Sequence, residues 1–335
     1  MNRILVVLML CLILVMFTGV GTAQEMVRIG IMQIVDHPAL DAVRDGVMDA
    51  LAEEYGYVSG ETIVFDSQSA QGDIATANTI ARKFISDRVD LIVSIATPTS
   101  QAAVNATTEI PIVFSAVTAP VRAGLVRELE NPGGNVTGAS DLTPVYRQIE
   151  LINYLFPEVE TIGTIYNAGE VNSVVTNDMA KEITGQLELE LVEATVTTTA
   201  DVALATQSLV GRVGAVYVST DNTTVSALDT VARITKEQKI PLILADPTTV
   251  VRGALLALGF DYYQLGRQTG TIVARILQGE DPGSIPVEFA QRLVLLVNRG
   301  TMDALELNPD VFEARLKSFV NEMAKKGYSI DLQFI

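Results

Sequence analysis

The stretch Asp90-Leu91-Ile92-Val93-Ser94-Ile95 stops at Ala96-Thr97-Pro98-Thr99-Ser100 and gives way at once to an Ala-rich helical segment. The same order of events recurs down the chain. Apolar, β-branched runs at Pro111 to Phe114, Thr161 to Tyr166, Ala215 to Val218 and Pro241 to Leu244 end respectively in Ser115 with Thr118, in Asn167, in Ser219-Thr220-Asp221-Asn222 and in Asp246. Such runs read as buried parallel strands, and parallel strands need crossovers, which the intervening amphipathic stretches supply. The repetition predicts an α/β protein of two three-layer, doubly wound lobes. In open sheets of this kind ligands sit beyond the carboxyl ends of the strands, where the small polar residues collect.

Length and charge narrow the class. The 335 residues are enough for two lobes of common size, and 48% hydrophobic with 19% charged residues describes a chain with a large core. A formal net charge of −17 excludes a nucleic-acid partner, because phosphates would be repelled. Arg3 followed by the apolar run Ile4 to Phe17 and the small residues Thr18 to Ala23 reads as a signal peptide over 1–23, too short for a spanning helix. Cleavage after Ala23 removes Arg3 and Cys11 and leaves a thiol-free, secreted chain whose charge falls from −17 to −18.

Taken in order, strands are expected at Val27–Ile34, Glu61–Gln68, Asp90–Ile95 and Pro111–Thr118, with helices at Leu40–Glu54, from Asp73 to Ser86 and from Thr99. Asn131-Pro132-Gly133-Gly134-Asn135 marks the approach to a crossing between lobes. A second series follows, with helices at Leu142–Leu155, up to about Gln186, Asp201–Val210, 223–237 and Asp261–Leu277. Its strands are Thr161–Tyr166, Glu188–Val196, Ala215–Val218, Pro241–Leu244 and Gly253–Leu258. Late strands between Pro286 and Asn298 and an amphipathic helix at 310–326 complete it.

The chain resembles the extracytoplasmic substrate-binding proteins of ABC transporters, in the subfamily with tryptophan-, tyrosine- and phenylalanine-binding members. The phrases that carry the resemblance are Asp90 to Pro98, Pro111 to Thr118, Ala123-Gly124-Leu125-Val126, Asn131 to Gly138, Tyr166-Asn167 with Glu170 and Asn172-Ser173, and Asp261 to Gly266. It implies a type I periplasmic-binding-protein-like fold whose lobes are joined by a three-strand hinge. One lobe takes residues 25–140 plus about 260–285, the other 141–259 plus about 286–335. Ala119 stands where the family usually has Asp before Pro120, and the tail from about Asn308 departs from the family's usual ending.

Thr97, Thr99 and Ser100, at a strand end that opens a helix, suit a ligand carboxylate through hydroxyls and free N–H groups. The alternative is an ordinary capping loop. Asp221 is the candidate for an ammonium group, against a simple N-cap role, and Asp246 competes for the same task. Asn167, Glu170, Asn172 and Ser173, with Ser219 and Asn222, are candidates for the second lobe's wall, and Gln33, His37, Ser115 and Thr118 for the first lobe's. Tyr262 and Tyr263 read as core or hinge packing. A lone His without a Cys or His partner indicates no metal, and no nucleophile constellation or phosphate loop is present, so neither an enzyme nor a cofactor is expected. The expectation is a periplasmic or extracytoplasmic monomer that captures a small amino-acid-like ligand, an aromatic amino acid in the first place, and delivers it to a membrane permease. The alternative is a sensor protein using the same cleft.

Overall fold

The computed structural model describes residues 26–335; the expected signal peptide lies outside them. The first half builds β1 (Val27–Gln33), α1 (Pro38–Tyr55), β2 (Ile63–Ser69), α2 (Ile74–Ser86), β3 (Leu91–Ile95), α3 (Thr97–Ala106), β4 (Ile112–Ser115) and β5 (Val136–Ser140). Their strands are parallel throughout, in the order β5-β4-β3-β1-β2. β3 and β4 are buried along their whole length, which is why their sequences are apolar on both faces rather than alternating.

The second half continues with α4 (Val145–Leu155), β6 (Thr161–Asn167), α5 (Val171–Gln186), β7 (Glu190–Val196), α6 (Val202–Leu209), β8 (Ala215–Val218), α7 (Asn222–Ser226), α8 (Leu228–Glu237), β9 (Leu242–Leu244) and β10 (Leu256–Phe260). The chain ends with α9 (Tyr262–Leu277), β11 (Glu288–Phe289), β12 (Leu293–Val297), α10 (Arg299–Ala304), α11 (Pro309–Lys325) and β13 (Ile330–Phe334). The second sheet runs β13-β12-β10-β9-β8-β6-β7, parallel except where β12 meets β10. Alternate residues of its strands fill two cores: Tyr217 packs on the side of Leu155, Leu316 and Phe319, while Val216 and Val218 pack on the side of Leu228 and Val231. The mixed α/β architecture of two sheets covered by helices is the expected fold class.

The chain passes between the sheets after β5, after β10 and after β11. The stretch expected to hold late strands therefore divides, for β11 pairs with β5 in the first sheet and β12 with β10 in the second. β5 itself escaped the sequence reading because it is short and contains Gly138. The glycine is required, since a Cβ there would run into the Phe114 carbonyl and ring. The helix expected at 223–237 is broken at Ala227, where Arg252 donates to the Val225 carbonyl at 2.7 Å and so ends α7 early. α11 lays Phe312, Leu316, Phe319 and Met323 on the second sheet. β13, also unforeseen, edges that sheet with the Arg299 guanidinium 4.3 Å above the Phe334 ring.

Candidate functional site

α1 begins at Pro38 without a side-chain cap, although His37 occupies the capping position. Its first N–H groups are therefore free, and Ala39 and Leu40 turn toward the second lobe. Opposite them, Asp221 opens α7 and Asp246 opens the 3-10 turn Pro247–Arg252. Between these helix starts lies a cavity lined also by Ala116, Thr118, Asp141, Asn172, Asn222 and Tyr262. Its volume is about 30 Å³. The lobes meet around it: the Thr118 and Thr220 hydroxyls are 3.3 Å apart, and Arg122 pairs with Asp178 at 2.9 Å.

The cavity is acidic, and no lysine or arginine lines it. Asp246 accepts from the Thr248 N–H at 2.8 Å through one oxygen, while the other is buried without a partner. Burial raises its pKa to about 6. Asp141 accepts from the Tyr262 hydroxyl at 2.8 Å and from Thr118 at 3.0 Å, and burial raises its pKa too. His37 is driven the other way, to about 4, by burial first and by the Arg252 charge second, so its imidazole is neutral and its Nδ1 unpartnered. The Asn172 side-chain oxygen is likewise buried and unpartnered. Three open polar atoms thus belong to residues that share one cavity with Asp141. Such groups are costly when left unmade, and a hydrogen-bonding ligand would complete them.

Of the residues singled out from sequence, His37, Thr118, Asn172, Asp221, Asn222 and Asp246 line this cavity. The others do not line it. Thr99 donates to the Ala96 carbonyl at 3.0 Å and Ser100 to the same carbonyl at 2.8 Å, so these hydroxyls are spent on their own helix. Thr97 is buried in the same turn with its hydroxyl unpartnered. Gln33 donates to Asp36 at 2.6 Å and Asp41 at 3.0 Å beside a separate recess between β1 and β2. Ser115 bonds Thr269 of α9 at 2.7 Å, and Ser219 accepts from Thr176 at 2.9 Å. Ser173 is fully buried on the first turn of α5.

Asn167 and Glu170 stand behind the second lobe's wall. Glu170 accepts from Asn222 at 2.5 Å and Thr223 at 2.9 Å, and burial with the neighbouring Asp221 charge raises its pKa to about 7. Asp221 lines the cavity, yet both its oxygens are taken by backbone N–H groups, of Thr224 and Asn167, each at 2.6 Å. Each Asp221 oxygen thus already accepts one backbone N–H, whereas Asp246 keeps one oxygen with no partner at all. Asp141 and Tyr262 were missed as cavity residues. Asp141 follows the unrecognised β5 in the same strand-then-polar pattern as the other ends, and Tyr262 reads as packing because its hydroxyl partner is far away in sequence. Among the described residues no cluster of His, Cys, Asp and Glu could hold a metal ion.

The model of the ABC transporter substrate binding protein family matches residues 28–312. A tyrosine-binding protein of Clostridioides difficile is 42% identical over 285 residues, covering 85% of this chain and 82% of the relative. Among solved structures, a conserved domain protein of Vibrio cholerae superposes with a TM-score of 0.84 at 44% identity, covering 87% of this chain and 98% of that one. The complex of an ABC domain with L-Trp from Streptococcus pneumonia gives 0.81 at 32% identity, with 86% and 98% covered. A ligand-free, open substrate binding protein of Clostridium difficile gives only 0.65 at 44% identity, with 84% and 95% covered. The overall fit to the L-Trp complex is thus better than that to the ligand-free, open protein, although the latter is more similar in sequence. With two lobes closed on an acidic cavity and a family match over nearly the whole described chain, this protein belongs to the substrate-binding proteins of ABC transporters.

Proposed function

We propose that the protein is the extracytoplasmic receptor of an ABC importer for a small amino acid, with an aromatic one favoured, which it captures between its lobes and carries to the permease. The observation that supports this best is the unpartnered oxygen of Asp246, buried in a cavity with Asp141 and no cation. A ligand ammonium is the natural complement of that site, because it supplies both the missing donor and the missing charge. The uncapped start of α1 at Ala39 and Leu40, with its dipole, suits the carboxylate of the same ligand. Leu40, Val225 and the Tyr262 ring offer apolar surface to a side chain. The names of the tyrosine-binding relative and the L-Trp complex point to the same ligand class.

Contact with both lobes gives such a ligand a higher affinity for the closed form, which is how capture drives hinge closure. The cavity is lined from both lobes, so entry of a ligand requires them to part. Titration calorimetry of the chain lacking residues 1–23 against the natural amino acids tests the reading. Saturable binding of L-tyrosine, L-tryptophan or L-phenylalanine is expected, and absence of binding by every amino acid would overturn it. No helix among the described residues is long and apolar enough to cross a membrane.

A further inference from the structure

Two carboxylates, one at the first crossing between lobes and one in the second lobe, line the same cavity. Asp141 follows β5 at the first crossing and is tied to the first lobe through Thr118 and through Tyr262 at the start of α9. Asp246 follows β9 in the second lobe and keeps one oxygen open. We propose that these two acids form a charge gate: they hold the empty cleft open, and they make an ammonium group, rather than a carboxylate, the part of a ligand that closes it. Closing the empty protein removes both carboxylates from water with nothing between them to compensate, whereas opening rehydrates them. A cation entering between them reverses the balance. This ligand requirement rests on the amino-acid reading above, while the gate itself concerns the empty protein.

The groups around the pair do not supply the compensation. Tyr262 and Thr118 give Asp141 neutral hydroxyls. His37, buried in the cavity wall, stays neutral through the relevant range, since its pKa falls to about 4. On the second lobe Asp246 has the Thr248 N–H and the Thr249 hydroxyl close by, and Asp221 adds a further acid to the cavity. Arg252, at the far end of the Asp246 turn, is engaged by Asp229 at 2.8 Å and by the end of α7. Glu170 lies behind Asn222 and is held there by Asn222 and Thr223 of its own lobe. Burial raises the pKa of both gate acids, the sign expected if the closed, empty form favours their protonation.

Small-angle scattering of the ligand-free protein tests the gate. The radius of gyration, about 19–20 Å for a compact chain of this size, is expected to fall by roughly 1 Å between about pH 7.5 and pH 5. The Asp141→Asn, Asp246→Asn double variant is expected to be compact at both, and Glu170→Gln to keep the wild-type response. At about pH 7.5 tyramine, an amine without a carboxylate, closes the wild-type protein, and hydroxyphenylpropanoate, the deaminated analogue of tyrosine, does not. A double variant as expanded as the wild type at about pH 7.5 overturns the gate even if L-tyrosine binds in calorimetry. If the double variant is compact while neither L-tyrosine nor tyramine binds the wild type, the gate stands and the amino-acid reading falls.

Discussion

Tyr262 donates its hydroxyl to Asp141 at 2.8 Å, and these two residues begin different crossings between the lobes. The bond ties the segment that leaves β5 to the segment that leaves β10, at the wall of the cavity. Tyr262→Phe removes a donor from a buried carboxylate and is expected to cost about 1–3 kcal/mol of stability. Denaturant unfolding of the two proteins measures it.

The two strand-end acids of the second lobe are expected to separate by function. Asp246→Asn, which removes charge beside an open oxygen, is expected to weaken amino-acid binding by about 2–5 kcal/mol, at least about thirtyfold, with little change in melting temperature. Asp221→Ala uncaps two backbone N–H groups and is expected to cost about 1–2 kcal/mol of folding stability. Calorimetry and thermal melts on both variants decide the matter; a larger loss of affinity in Asp221→Ala than in Asp246→Asn would contradict the assignment.

Affinity is expected to depend on pH through Asp246. Only its ionised form attracts an ammonium, and in the empty cavity it ionises at about 6. Binding is therefore full above about pH 7 and falls as pH drops through 6, by about tenfold per unit below it, with proton release on binding in that range. For folding the sign is opposite: the raised pKa contributes stability that is present at low pH and is lost as pH rises through about 6. Titrations in buffers of different ionisation enthalpy read the released proton.

α9 joins the first lobe by packing on α1 with almost no side chain between them. A Cβ on Gly46 would stand 3.1 Å from the Gly266 Cα, and one on Gly266 would stand 2.9 Å from the Val43 carbonyl carbon. Gly266→Ala is expected to destabilise the protein by about 1–3 kcal/mol, because backbone cannot yield as a flexible side chain can. The expected drop in melting temperature is about 2–4 °C per kcal/mol.

Arg122 and Asp178 pair between the lobes at 2.9 Å, and both side chains are more than half exposed. Such pairs are worth at most about 1 kcal/mol and are screened by salt. Arg122→Ala is expected to lower ligand affinity less than about fivefold at low salt and not measurably at about 1 M salt. A larger, salt-independent effect in calorimetry would mean that Arg122 contacts the ligand directly.

The sequence by itself determined the layered α/β architecture, because uninterrupted apolar runs such as Leu91–Ile95 can be buried on both faces only between helices. It also marked the strand ends as the place to look, and His37, Thr118, Asn172, Asp221, Asn222 and Asp246 do share one cavity. What it could not determine is which of these polar groups are already satisfied. Ser100 and Asp221 look as available as Asp246 in one dimension, yet the Ser100 hydroxyl donates to the carbonyl of Ala96, and both Asp221 oxygens already accept from the N–H groups of Thr224 and Asn167. Only the tertiary structure decided that, since the Asn167 N–H reaches Asp221 from another strand. It decided Asp141 and Tyr262 in the same way, because their hydrogen bond joins residues far apart in the chain, and burial, not residue type, sets the acidity of the groups between the lobes.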